Sequence, residues 1–296
     1  MPEPALSLPA GPQPRSSPLL DQLLDIVTTA GVLYIVAVGL LIVLGVLKII
    51  NFAHGAFLTL GGYASLIVTQ LGWNPWLAAP AAFLAGTLLG GAVEQVIVRP
   101  LYRRPLDAIL ATWGLSIVVV QIITMIFGRS VQFVQSPVEG AVPLLGTSYS
   151  LYRLILLALA ILLALVIAAV MHGTRLGLVT RAVIMNESLA RSLGINSALV
   201  RFITFSVGSG LASLAGALIT PLLSVDPLMG VPWLLNAFML VLVSGTSLLS
   251  LAIAALVLGG AQVLISSYGS PVLGGLTIVV LAALILRIRP QGFARA

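Results

Sequence analysis

Nine apolar stretches, most of them close to the length of a bilayer crossing, follow one another along this chain and constrain its fold more than any other feature. A helix of about 20 residues covers the roughly 30 Å of hydrocarbon in a membrane. Lipid offers no partner to an open backbone, so runs of this kind read as spanning helices. They fall at 26–47, 57–71, 77–98, 108–127, 151–172, 202–223, 234–247, 248–265 and 272–286. Strand-like alternation is absent, which argues against an outer-membrane barrel. Only 7% of the 296 residues are charged and 59% are hydrophobic, whereas soluble domains carry about 25% charged residues. The expected fold is an all-α polytopic membrane protein, a bundle of about 8–10 transmembrane helices.

Charge orients the bundle. The net charge of +6 would suggest nucleic acid in a soluble chain, but here it reflects the enrichment of Arg and Lys in cytoplasmic loops. Arg99, Arg103 and Arg104 mark one such loop, and Arg175, Arg181, Arg191 and Arg201 a second. Arg287, Arg289 and Arg295 mark the C-terminal tail. Keeping all three on one side requires 234–265 to be two helices, divided near Gly245, Thr246 and Ser247. The C-terminus is then cytoplasmic and the N-terminus outside. Residues 1–18, rich in Pro, read as a disordered tail, and 19–296 as a single transmembrane domain with a cytoplasmic loop at 173–201. The outer loops 128–150 and 224–233 read as short structured caps.

Between the first two apolar runs lies Lys48-Ile49-Ile50-Asn51-Phe52-Ala53-His54-Gly55, followed by Gly61, Gly62 and Tyr63. Polar groups at membrane depth are costly unless they are buried in protein or line a path. A broken or re-entrant segment near 48–62 is what a transporter needs where a helix opens its backbone to a solute. Asn51, His54, Gly55, Gly61, Gly62 and Tyr63 are thus the candidate lining of a translocation path. For Asn51 and His54 three roles stay open: holding a helix end, touching the solute, or placing the break.

In loop 173–201, Met185, Leu189 and Leu193 recur every four residues, with Arg181, Glu187 and Arg191 off their stripe. The pattern predicts a short amphipathic helix stopped at Gly194, a shape that suits insertion into a partner's groove; a loop lying on the membrane surface is the alternative. Glu94 is either an interfacial carboxylate near cytoplasmic arginines or a brace to that loop. Gly86 and Gly90, like Gly208, Ala212 and Gly216, share a helix face and predict close packing, within the bundle or between subunits.

Several chemistries are excluded. A nucleotide motor needs a glycine-rich phosphate loop ending in Lys-Ser or Lys-Thr, and the single lysine, Lys48, precedes Ile49. There is no Cys and only His54 and His172, which leaves no thiolate or histidine metal centre. Carriers driven by ion gradients place ionisable groups at the midplane, and no Asp or Glu lies mid-span. A passive facilitator escapes that objection.

Ile50-Asn51-Phe52-Ala53-His54-Gly55, Gly61-Gly62-Tyr63, Arg99-Pro100, Arg181-Ala182, Ala190 with Gly194-Ile195-Asn196, and Pro290-Gln291-Gly292 together resemble the LivH-type permeases, in order from about residue 25 to 293. These are membrane subunits of ATP-binding-cassette importers in bacterial inner membranes. The resemblance implies a transport subunit with no enzymatic activity and no cofactor of its own, ATP being used by partner subunits. It implies two cytoplasmic ATPases, a second, LivM-like permease or a second copy of this chain, an extracytoplasmic solute-binding protein and surrounding lipid, but no nucleic acid. Arg181, Glu187, Ala190, Gly194 and Ile195 would form the loop that couples to an ATPase. The expected solutes are amino acids of the branched-chain or hydrophobic type. Leu106–Gly114 and Arg289–Phe293 look closer to the UrtB-like branch, which makes urea or short amides the alternative.

Overall fold

The computed structural model describes residues 18–144 and 147–293. Its helices are α1 (Pro18–Leu47), α2 (His54–Gln70), α3 (Ala78–Val93), α4 (Pro105–Phe127), α5 (Leu151–Gly173), α6 (Arg175–Met185), α7 (Glu187–Ser192), α8 (Ser197–Ile219), α9 (Gly230–Ser244), α10 (Leu248–Tyr268) and α11 (Pro271–Ile288). A hairpin of β1 (Ala141–Leu144) and β2 (Thr147–Ser150) precedes α5. Every apolar stretch of the sequence is helical, and seven helical stretches are long and apolar enough to cross a bilayer. The other two, α2 and α9, have 17 and 15 residues, or about 25 and 22 Å of helix. The fold is an all-α polytopic membrane protein.

Four boundaries differ from expectation, each for a local reason. The first helix starts at Pro18, two turns before residue 26, with proline at the position where its missing N–H is harmless. The reading of 1–18 as a disordered tail otherwise lies outside the described residues. The break after α1 is confined to residues 48–53, and α2 runs unbroken from His54 through Gly61 and Gly62. The helix expected over 181–194 is two helices, because Asn186 is extended (φ −155°) and its side chain caps α7 at Leu189 N–H. Finally, α3 continues into a π-helical turn at Glu94–Val98 and a 3-10 turn at Arg99–Leu101. Pro100 cannot donate to the preceding turn, and the widened turn ahead of it accommodates the loss.

The expected division of 234–265 is present: α9 ends at Ser244, Gly245 turns at φ 67°, and Ser247 caps α10. It brings the tail to the other arginine loops, since Phe293 N–H donates to the Val243 carbonyl at 2.7 Å. Gly45, near the end of α1, faces Ile184 of α6 and Thr246 at the same end. At the opposite end Asp25 accepts from Tyr149 at 2.8 Å and Arg153 at 2.7 Å. There, too, Gln132 and Val225 exchange backbone hydrogen bonds at 2.9 Å, tying loop 128–150 to loop 224–233. The bundle therefore has an arginine-bearing end and a capped end.

Helix α8 occupies the middle, and small residues let its neighbours approach. Gly86 and Gly90 of α3 lie against Ser213 and Ser209, Gly208 lies against Gly39 and Val43 of α1, and Gly216 lies against the Leu58 carbonyl of α2. These stripes are intramolecular packing. In lipid, where chains compete equally for apolar surface, such close approach is what holds helices together. Helices α4 and α5 stand outside with few side chains buried, as lipid-facing helices do.

Candidate functional site

The residues singled out around 51–63 all lie inside protein. Asn51 accepts from Ala53 N–H at 3.1 Å through its side chain, and its carbonyl accepts from His54 N–H at 3.3 Å. His54, 1% exposed, donates from Nε2 to the Val36 carbonyl of α1 at 2.9 Å. Two of the four orphan groups at the start of α2 are thus met locally, and an imidazole bolts that start to the middle of α1. Of the roles open for these two residues, holding the helix end is the one with contacts in this conformation.

The glycines serve contact. Gly55 faces Gly230 at the start of α9, where an added Cβ would come within 3.0 Å of the Gly230 carbonyl. Thr59 Oγ1 accepts from Gly230 N–H at 3.2 Å and donates to the Gly55 carbonyl at 3.1 Å, which locks the crossing. A Cβ at Gly61 would collide with the Ser213 carbonyl, and Ser213 in turn donates to the Phe57 carbonyl at 2.9 Å. A Cβ at Gly62 would meet Met229 Sδ at 2.6 Å and Thr220 Oγ1 at 2.9 Å. Gly61 and Gly62 therefore do not open the backbone here, because they are where α8 and the 220–229 turn press on α2. Tyr63 is buried with its ring centroid 4.7 Å from that of Phe127, the last residue of α4.

At the arginine-bearing end the loop residues form a network. Glu187, in the first turn of α7, pairs with Arg191 at 2.9 Å and with Arg201 of α8. Arg191 Nε donates to Ser197 Oγ at 2.6 Å. The Arg201 guanidinium sits 4.5 Å over the Tyr102 ring, and the Tyr102 hydroxyl donates to Glu94. Glu94 is 0% exposed, with its second oxygen lacking a partner among the described residues. Burial first, then the hydrogen bond and charge of Glu94, push the Tyr102 phenol above its ordinary value, so it stays a donor. Glu94 is thus the brace, reached through Tyr102. A basic groove of about 810 Å³ opens beside it, lined by Lys48, Arg99, Arg103 and Asn186 among others.

The other loop residues divide between inside and outside. Arg181 NH1 is 3.4 Å from His172 Nδ1. Ala190 is buried, and its carbonyl accepts from Ile195 N–H at 3.0 Å. Gly194 turns at φ 83° with open space around it, ending α7 as expected. Met185, Leu189 and Leu193 are 84%, 57% and 73% exposed, so the apolar stripe faces out, unburied by this chain. Tyr102 and Ser197 escaped the sequence reading, and Arg201 entered it only as a loop charge. The one available signal was a tyrosine between Arg99 and Arg103 in a loop otherwise built for solvent.

Comparison with known proteins identifies the family of the chain. The family model described as the branched-chain amino acid transport system permease component matches residues 22–288. The permease LivH of the high-affinity branched-chain amino acid system of Salmonella typhimurium is 27% identical over 92% of this chain and 94% of its own. BraD, a permease of the corresponding Pseudomonas aeruginosa system, is 29% identical over 92% and 94%. The ribose import permease RbsC of Haemophilus influenzae is 29% identical over 78% of this chain and 70% of its own. Among solved structures, PsaBC from Streptococcus pneumoniae in complex with Fab superimposes with a TM-score of 0.52 at 14% identity, covering 91% of this chain and 92% of that one, a likeness of fold. With its match running from the first helix to the last, this chain belongs to the family of branched-chain amino acid transport permease components.

Proposed function

We propose that this chain is a transmembrane permease subunit of an ATP-binding-cassette importer for amino acids of the branched-chain type. The observation that carries the reading is the exposed stripe Met185, Leu189 and Leu193 on a loop whose other face is wired into the bundle. Apolar side chains left in water on a rigid mount are a docking surface. Relatives that span the same length are permeases of branched-chain amino acid systems.

In this reading a cytoplasmic ATPase grips α7, and two such subunits serve a pair of permeases, this chain with a LivM-like partner or a second copy. A solute-binding protein meets the capped end, where loops 128–150 and 224–233 are tied together. Movement at α7 passes through Glu187 and Arg201 to α8. Helix α8 in turn abuts α2 through Ser213 and Gly216, beside the 51–63 segment that lines the path in the other state. The ATPase shifts the equilibrium only if its contacts with α7 differ between its own states.

The test is uptake of labelled leucine into proteoliposomes holding this chain with its ATPases, partner permease and binding protein, urea being run as a competing solute. ATP-dependent uptake that urea leaves unchanged is the expected result. Uptake by this chain alone would overturn the reading in favour of a facilitator, and urea uptake in place of leucine would reassign the solute.

A further inference from the structure

Between α5 and α8 runs a groove of about 800 Å³ that the chain itself leaves unfilled. Its walls are Leu163, Ile167 and Met171 of α5 and Ile203, Val207 and Leu211 of α8. Along α8 it extends from Leu199 to Leu214, about 22 Å of helix, so it is long as well as narrow. Arg175 and Asn196 stand where it meets the arginine-bearing end. Like several other arginines of the chain, Arg175 makes no ion pair among the described residues.

Shape and charge together select the occupant. Water is excluded by a lining with almost no polar atoms. A fatty acyl chain is apolar, slender and of the right length, and a phosphate at its head would meet a free guanidinium in charge-assisted hydrogen bonds. We propose that this groove is a phospholipid site, with acyl chain between α5 and α8 and phosphate on Arg175. The bound lipid would wedge the α5–α6 pair against the start of α8, directly under Gly194 and Ile195, and so set the angle at which α7 is presented. This inference goes beyond the import reading and needs only the membrane location.

The test is native mass spectrometry of the delipidated full-length chain titrated with phosphatidylglycerol, diacylglycerol and glycerol 3-phosphate. One phosphatidylglycerol should bind per chain, diacylglycerol should bind more weakly, and glycerol 3-phosphate should not bind. Arg175→Gln should weaken phosphatidylglycerol about tenfold, as loss of a charge-assisted contact does, and leave diacylglycerol unchanged. Val207→Trp and Leu163→Trp fill the groove from opposite walls, so either one, if folded, should abolish both lipid adducts. Equal lipid occupancy in all variants would mean a general lipid coat and overturn the proposal. So would a dimer of this chain that disappears in the tryptophan variants, since a second copy would then be the occupant.

Discussion

Arg201 and Tyr102 are stacked, guanidinium carbon 4.5 Å above ring centre, and through this contact two ion networks become one. On one side the tyrosine hydroxyl reaches Glu94 in the widened turn after α3, and on the other Arg201 reaches Glu187 at the start of α7. A cation over an aromatic face is worth about 0.5–2 kcal/mol, more as water is excluded. Its larger consequence here is mechanical, because it ties α3, α8 and α7 to one another.

Tyr102→Phe keeps the stacked ring and removes only the hydroxyl. It would leave a fully buried Glu94 with neither oxygen partnered, an omission that costs about 1–3 kcal/mol. Thermal unfolding of the purified chain in detergent should shift down accordingly. In the Glu94→Gln background the same change should cost less, because the two groups act as a pair. Equal losses in both backgrounds would mean that the hydrogen bond contributes nothing.

Glycines give a matched contrast. Gly61→Ala and Gly216→Ala each drive a methyl into backbone of the facing helix, the Ser213 and Leu58 carbonyls respectively, which flexible side chains cannot relieve. Each should destabilise by about 1–3 kcal/mol through forced separation of α2 and α8. Gly114→Ala, in mid-α4 with nothing within 4 Å, should instead be neutral or slightly stabilising, since alanine is the better helix former. If melting temperatures put all three together, the close-packing account of α8 is wrong.

These contrasts mark where the sequence could be read and where it could not. Apolar runs, arginine loops and the turn at Gly245 are local signals, so the helices, their number of segments and the common end of the basic loops were all legible. A glycine pair looks the same whether it frees backbone or admits a neighbour, and only the position of Ser213, 152 residues away from Gly61, shows that Gly61 admits α8 in this conformation. The stripe at Met185, Leu189 and Leu193 could be read from its spacing, whereas the break at Asn186 could not, because a cap and a mid-helix asparagine share a letter. Tyr102 was invisible for a similar reason: its importance comes from Arg201, far along the chain.

His54 separates holding from touching. Its ring is 1% exposed and bonded to Val36, so His54→Ala should lower stability by about 3 kcal/mol through the lost bond and the cavity left behind. Folded transporter recovered from the variant should show an unchanged apparent KM for solute, with only the maximal rate reduced. A raised KM at unchanged maximal rate would place the imidazole on the solute.

Docking can be separated from folding at the loop itself. Gly194 adopts φ 83° with nothing within 4 Å, so a side chain there meets strain and no clash. Asparagine tolerates that conformation and valine does not, the left-handed region costing most residues roughly 1–2 kcal/mol. Gly194→Val should therefore swing α7 and lose the ATPase in co-purification, while Gly194→Asn keeps it. Leu189→Asp gives the complementary case. The side chain is 57% exposed and off the Glu187 network, so the isolated chain should melt at its usual temperature. A carboxylate in the middle of an apolar contact loses its hydration without a partner, at a penalty of several kcal/mol. ATPase binding should then fall to background although the permease is intact. Retained binding in Leu189→Asp would remove the stripe from the interface and leave the basic groove beside Lys48 and Arg103 as the surface the motor holds.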